Sequence, residues 1–165
     1  MQPIFILIRG NSGSGKTVLA EALQKYFGCE KCLLLHQDMI RRDLLHTHDH
    51  TGTIAINLIE NLVQFGTKHY QIIILEGILR KDVYGDMLQR VIQNFGNAAL
   101  VYYLNVPFTT TVKQNQLKNI PFTVSDLKKW WLTDDQLKSN QEHQLAEGHT
   151  SDFCQQIIAD IKNHK

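Results

Sequence analysis

Ile4-Phe-Ile-Leu-Ile-Arg-Gly10-Asn-Ser-Gly13-Ser-Gly15-Lys16-Thr17 is an apolar run that ends in G-x-x-x-x-G-K-T. A periodic stretch follows, with Val18, Leu19, Ala22, Leu23, Tyr26 and Phe27 at helical spacing. Strand, glycine-rich loop and helix in this order predict a phosphate-binding loop. Glycines let successive backbone N–H groups converge on a polyphosphate, and the helix start adds unpaired donors. Lys16 reaches the β- and γ-phosphates, and the Thr17 hydroxyl suits Mg²⁺. Gly10, Asn11, Ser12, Gly13, Ser14, Gly15, Lys16 and Thr17 are therefore the candidate nucleotide-binding residues, with ATP and Mg²⁺ as the cofactors.

The rest of the chain repeats the alternation. Cys32–Leu35, Ile72–Leu75 and Ala98–Leu104 read as further strands buried on both faces, and Glu142–Leu145 as a short fifth. Between them, Ala55, Leu58, Ile59 and Leu62 mark a helix that stops near Gly66. Tyr84, Met87, Leu88, Val91, Ile92 and Phe95 mark another that stops near Gly96. Thr123 and Thr133 both resemble helix starts, and Ser151 a cap for a last helix carrying Phe153, Ile157, Ile158 and Ile161. The pattern predicts an α/β three-layer fold, with a parallel sheet of about five strands in the order 2-3-1-4-5 and helices on both faces. It predicts one domain over 1–165 with a helical lid at about 110–140.

Composition sets outer bounds. The 165 residues carry a net charge of +1, which points away from nucleic acid and from an anionic membrane surface. No apolar run reaches the roughly 20 residues of a membrane span, and no basic segment precedes a cleavable apolar stretch, so the expected location is the cytoplasm. Three cysteines argue against a disulfide framework, and Cys29-x-x-Cys32 reads as a helix-to-strand turn.

In open parallel sheets the ligand lies beyond the carboxyl ends of the strands. Asp38 and Glu76 fall there. Asp38 suits a general base that orients an acceptor hydroxyl, or the cap of a following helix. Glu76 suits a Mg²⁺ or water contact in the manner of a Walker B acid, or a strand-end residue facing solvent. Of Arg41 and Arg42, one is expected to face the substrate. His46, His48, Asp49 and His50 read as a polar loop at the substrate mouth rather than a metal site, because structural zinc ligands come from separate segments. Trp130 and Trp131 read as packing.

With these residues assigned, the chain resembles a P-loop small-molecule kinase. It is similar to bacterial uridine-kinase-like proteins and, more widely, to the chloramphenicol phosphotransferase and zeta-toxin type. The stretches that carry the likeness are Ile8–Thr17, His36–Arg42, Ile74–Leu79, Tyr102–Phe108 and Trp130-Trp131…Asp135. The resemblance implies an ATP- and Mg²⁺-dependent kinase for a hydroxyl of a small molecule, with a nucleoside, an antibiotic or a nucleotide-sugar as acceptor classes. It assigns Asp38 to the acceptor side and Glu76 to the Walker B-like acid. One departure stands out: similar chains carry lid arginines, where this chain has Lys113 and Lys118. A lysine lacks the planar fork that grips two phosphate oxygens. The alternative is thus a nucleotide-binding regulatory module with little turnover. A GTPase would need an N-K-x-D-like segment after the fourth strand, and the sequence has none there.

Overall fold

The computed structural model describes residues 2–117, 119–137, 141–146 and 148–163. Five strands, β1 (Ile4–Gly10), β2 (Cys32–His36), β3 (Ile72–Gly77), β4 (Ala99–Leu104) and β5 (Glu142–Leu145), form one sheet in the order β2-β3-β1-β4-β5. Every pairing is parallel. This is the sheet order that the alternation of apolar runs and helices predicts.

Strand side chains alternate between faces, so each strand feeds two cores. Phe5, Leu7, Ile73, Leu75 and Val101 pack on one face with residues of α2 (Ile54–His69) and α3 (Lys81–Phe95). Ile6, Ile8, Ile74, Leu100 and Tyr102 pack on the other with α1 (Lys16–Phe27) and α6 (Thr150–Asn163). Two short helices, α4 (Phe108–Gln116) and α5 (Val124–Lys129), occupy the region expected to be a lid. Thr123 caps α5, its hydroxyl accepting from the Asp126 N–H.

Three local expectations are corrected. Gly66 does not stop α2, which continues to His69. Its missing side chain has another use: a Cβ there would lie 2.7 Å from Ile73 Cγ1 and 3.0 Å from Leu33 Cδ2, so glycine lets the helix press onto the sheet. Thr133 starts no helix, because Asp135 is engaged elsewhere and Asp134 has a φ of +54°. Ser151 lies inside the first turn of α6. Asp152 serves that helix start instead, its Oδ2 accepting from the His149 N–H at 2.8 Å.

Candidate nucleotide and acceptor site

The loop from Gly10 to Gly15 joins β1 to α1. Gly13 and Gly15 have φ of +77° and +93°, which side-chain-bearing residues rarely adopt. A Cβ on Gly13 would lie 2.9 Å from the Thr111 carbonyl oxygen, so α4 sits directly on the loop. Lys16 opens α1 and is buried, with Nζ donating to the Asn11 carbonyl at 2.7 Å. The ammonium is thus folded back over its own loop, beside Gly10 and Gly13, where a Cβ would meet a backbone carbonyl within 3 Å. That is a cradle suited to a compact polyanion.

Strand parity brings Thr17, Glu76 and His36 together. His36 and Glu76 are register partners on β2 and β3, on the face that carries α1. Glu76 Oε1 accepts from Thr17 Oγ1 at 3.2 Å and from His36 Nδ1 at 2.7 Å. Glu76 is 4% exposed, so it is not a strand-end residue facing solvent. The hydrogen bond to Glu76 raises the pKa of His36, against burial, which lowers it. A hydroxyl and a carboxylate side by side form an oxygen donor set of the kind Mg²⁺ takes.

Asp38 stands at the start of a π-helical turn, Met39–Leu44, and its side chain makes no cap bond. Capping is therefore not its role here. Its Oδ1 accepts from Arg41 Nη2 at 3.2 Å and lies 3.6 Å from Arg42 Nε. About half of the Asp38 side chain is exposed, whereas Arg41 is nearly buried and Arg42 half exposed. Gly77 leaves room for Gln37: a Cβ there would lie 2.6 Å from Gln37 Cβ.

A cavity of about 840 Å³ joins these groups. Ser12, Gly13, Gly15, Lys16, Thr17 and the adjoining Glu76 line it, together with Asp38, Arg41 and Arg42. Of the two expected lid cations, Lys113 is exposed on α4 and does not line the cavity, and Lys118 lies outside the described residues. The lid contributes Gln114, Leu117, Phe122, Lys129 and Trp130 instead. Trp130 packs edge-on against Phe122, and Trp131 against Phe108, so both tryptophans do pack.

Asp49, from the polar loop expected at the substrate mouth, does line the cavity. Sequence reasoning missed Arg80, which lines it too, and Arg9. Arg9 is fully buried beside the phosphate loop, donating to the Leu79 carbonyl, to Asp135 Oδ2 at 2.9 Å and to Glu142 Oε1 at 3.3 Å. Burial raises the pKa of Asp135, against the Lys81 N–H and Arg9, which lower it. The signal for this cluster was an arginine inside an apolar strand, because a buried guanidinium requires acceptors.

The family model described as Zeta toxin matches residues 1–114, from β1 through most of α4 and over half of the chain. A uridine kinase from Geobacillus sp. (strain WCH70) is 42% identical over 45 residues, a match covering 27% of this chain and 21% of that protein. The likeness thus spans about a fifth of that relative. Among solved structures, an APS kinase of Mycobacterium tuberculosis in complex with AMPPNP and APS superposes with a TM-score of 0.70 at 12% identity, covering 98% of each chain. A gluconokinase of Sinorhizobium meliloti 1021 gives 0.69 at 12% identity, over 98% of this chain and 93% of that one. A tunicamycin resistance protein of Deinococcus radiodurans gives 0.64 at 16%, over 97% and 96%. At such identities the structures show a shared fold. The family-model match over residues 1–114 establishes that the chain belongs to the Zeta toxin family, and its fold is that of P-loop kinases.

Proposed function

We propose that the protein is an ATP- and Mg²⁺-dependent phosphotransferase that moves the γ-phosphoryl group of ATP to a hydroxyl of a small molecule. The observation that carries this reading is the one cavity holding both the phosphate loop and the Asp38–Arg41–Arg42 cluster. A site that only gripped nucleotide would have no use for a half-exposed carboxylate held in the same cavity.

In this reading the residues from Gly10 to Thr17 bind the polyphosphate. Lys16 leaves the Asn11 carbonyl and neutralises charge on the transferred group. Thr17 and Glu76 would hold Mg²⁺, directly or through water, and the ion neutralises charge shared by the phosphates when bound. Asp38, anchored by Arg41, orients the acceptor hydroxyl. As the acceptor oxygen bonds to the γ-phosphorus and the bond to the β-phosphate oxygen breaks, Asp38 takes the hydroxyl proton. Arg42 and Arg80 add positive charge at the acceptor end. The aromatic lid residues exclude water, the competing acceptor. The domain is read as a single unit with residues 110–140 as its lid, working in the cytoplasm on a small-molecule partner.

A test follows ADP release from ATP and Mg²⁺ in the presence of pooled hydroxyl compounds. Acceptor-stimulated ADP is expected, and Asp38→Asn should reduce it at least about 100-fold while ATP affinity holds. The arginine-free lid, residues 110–140, favours a second reading as a nucleotide-binding module. Tight ATP binding with no acceptor-stimulated ADP would select that reading.

A further inference from the structure

Asp49 sits in the histidine-rich segment after the π-helical turn, and its two carboxylate oxygens have very different surroundings. Oδ1 accepts from Tyr84 Oη at 2.7 Å and from Gln37 Nε2 at 3.1 Å. Arg41 Nε lies 3.3 Å from the same oxygen, an ion pair without hydrogen-bond alignment. Oδ2 makes no hydrogen bond with any described residue, yet Asp49 lines the cavity. Gln37 is fully buried, and its Oε1, also without a partner, lies against cavity-lining Gly77. Burial, reinforced by the bond to Asp49, raises the pKa of the Tyr84 hydroxyl, which keeps it a donor.

One guanidinium ties this carboxylate to Asp38. Arg41 reaches Asp38 with Nη2, Asp49 with Nε and the Thr47 carbonyl with Nη1. Its side chain is 9% exposed, so the three groups form a fixed unit in the cavity wall. Arg42, 3.6 Å from Asp38 Oδ1, brings a second guanidinium to this unit. Ionised carboxylates only accept hydrogen bonds. What they hold must therefore donate.

We propose that Asp49 is a second acceptor-holding carboxylate, a role that rests on the phosphotransferase reading of the cavity. The acceptor presents two donors, one hydroxyl to Asp38 and a second to Asp49 Oδ2. Its class is a polyhydroxyl compound, a sugar or polyol, rather than a simple alcohol. Any anionic group it carries faces Arg42 or Arg80, because Arg41 is already shared between the carboxylates.

Trp130 lines the cavity, so its fluorescence can report binding without turnover. The protein, loaded with Mg²⁺ and AMPPNP, is titrated with neutral sugars and polyols, with sugar acids and sugar phosphates, with monodeoxy counterparts of each, and with monohydric alcohols. At least one polyhydroxyl compound should bind saturably, one of its deoxy counterparts about tenfold more weakly. Asp49→Asn should weaken the parent compound about tenfold and leave that deoxy counterpart nearly unchanged. Binding by none of the polyhydroxyl compounds, equal binding by monohydric alcohols, or an unchanged affinity in Asp49→Asn each overturns the proposal. If Asp49→Asn loses its cooperative melt, Tyr84→Phe replaces it. Loss of the shortest bond to Oδ1 should weaken the polyhydroxyl ligand about threefold at unchanged AMPPNP affinity, and an unchanged ligand affinity overturns the proposal. Polyhydroxyl binding without ADP formation from ATP would refute phosphotransfer and leave the Asp49 contact standing. ADP formation with monohydric acceptors would do the reverse.

Discussion

Asn11 in the phosphate loop closes a two-point clasp on the backbone of Leu132. Its Nδ2 donates to the Leu132 carbonyl at 2.9 Å, and the Leu132 N–H donates to its Oδ1 at 2.8 Å. At the other end of the lid, Asn115 holds Phe122 in the same way, at 2.8 and 3.1 Å. The segment between α4 and Leu132 is thus tied at both ends by asparagine side chains that replace backbone pairing.

Asn11→Ala removes both bonds of its clasp, at a cost of about 1–2 kcal/mol. Hydrogen exchange at the Leu132 amide should accelerate, while exchange in β3 stays as it was. Unchanged exchange at Leu132 would show that the clasp does not hold the lid end.

Arg9→Ala should destabilise the fold by about 3–5 kcal/mol, measured by denaturant unfolding. The guanidinium is fully buried, and its loss removes its ion pairs with Asp135 and Glu142. Arg9→Lys should recover part of the loss, since an ammonium restores charge but not the fork that reaches Leu79, Asp135 and Glu142 together. A loss under about 1 kcal/mol for Arg9→Ala would mean that the cluster relaxes without it.

Gly66→Ala tests the close approach of α2 to the sheet. A new Cβ meets Ile73 and Leu33 below or at 3.0 Å, and overpacking of this kind costs about 1–3 kcal/mol. Alanine is otherwise the better helix former by about 1 kcal/mol. A more stable variant would therefore show that the neighbours yield freely.

His36 and Glu76 give the magnesium-free protein a pH signature. The pKa of His36 is raised in the fold, so the pair contributes fully below the unfolded value of about 6.5. Its contribution then fades as pH rises through the folded value. The difference in melting temperature between the natural chain and Glu76→Gln should hence be larger at about pH 6 than at about pH 8.5. A difference that is flat across this range would remove the charged pair from the account.

The sheet was legible because short apolar runs set between helical stretches fit little besides strands buried on both faces. Ile4–Ile8, Cys32–Leu35 and Ile72–Leu75 needed no partner information to read as strands, and the phosphate loop between β1 and α1 set the topology. What stayed hidden depended on contacts distant in sequence. Gly66 looks like a helix stop until Ile73 is seen against it. Thr133-Asp-Asp-Gln136 has the letters of a helix start, but Arg9 recruits Asp135 from 126 residues away. Asp49 sat among histidines in a loop read as the substrate mouth, but only Tyr84, Gln37 and Arg41 distinguish its two oxygens. Of the lid cations expected from a family pattern, Lys113 does not line the cavity and Lys118 lies outside the described residues, while Lys129 does line it.

The central claim is that the backbone around Gly10–Gly15, with Lys16, grips a triphosphate. Calorimetric titration of folded protein with ATP at millimolar magnesium tests it most directly. The account predicts saturable binding that weakens at least about tenfold in Lys16→Ala, at unchanged melting temperature. Absence of association with both ATP and GTP, or equal affinity in the two proteins, would contradict it.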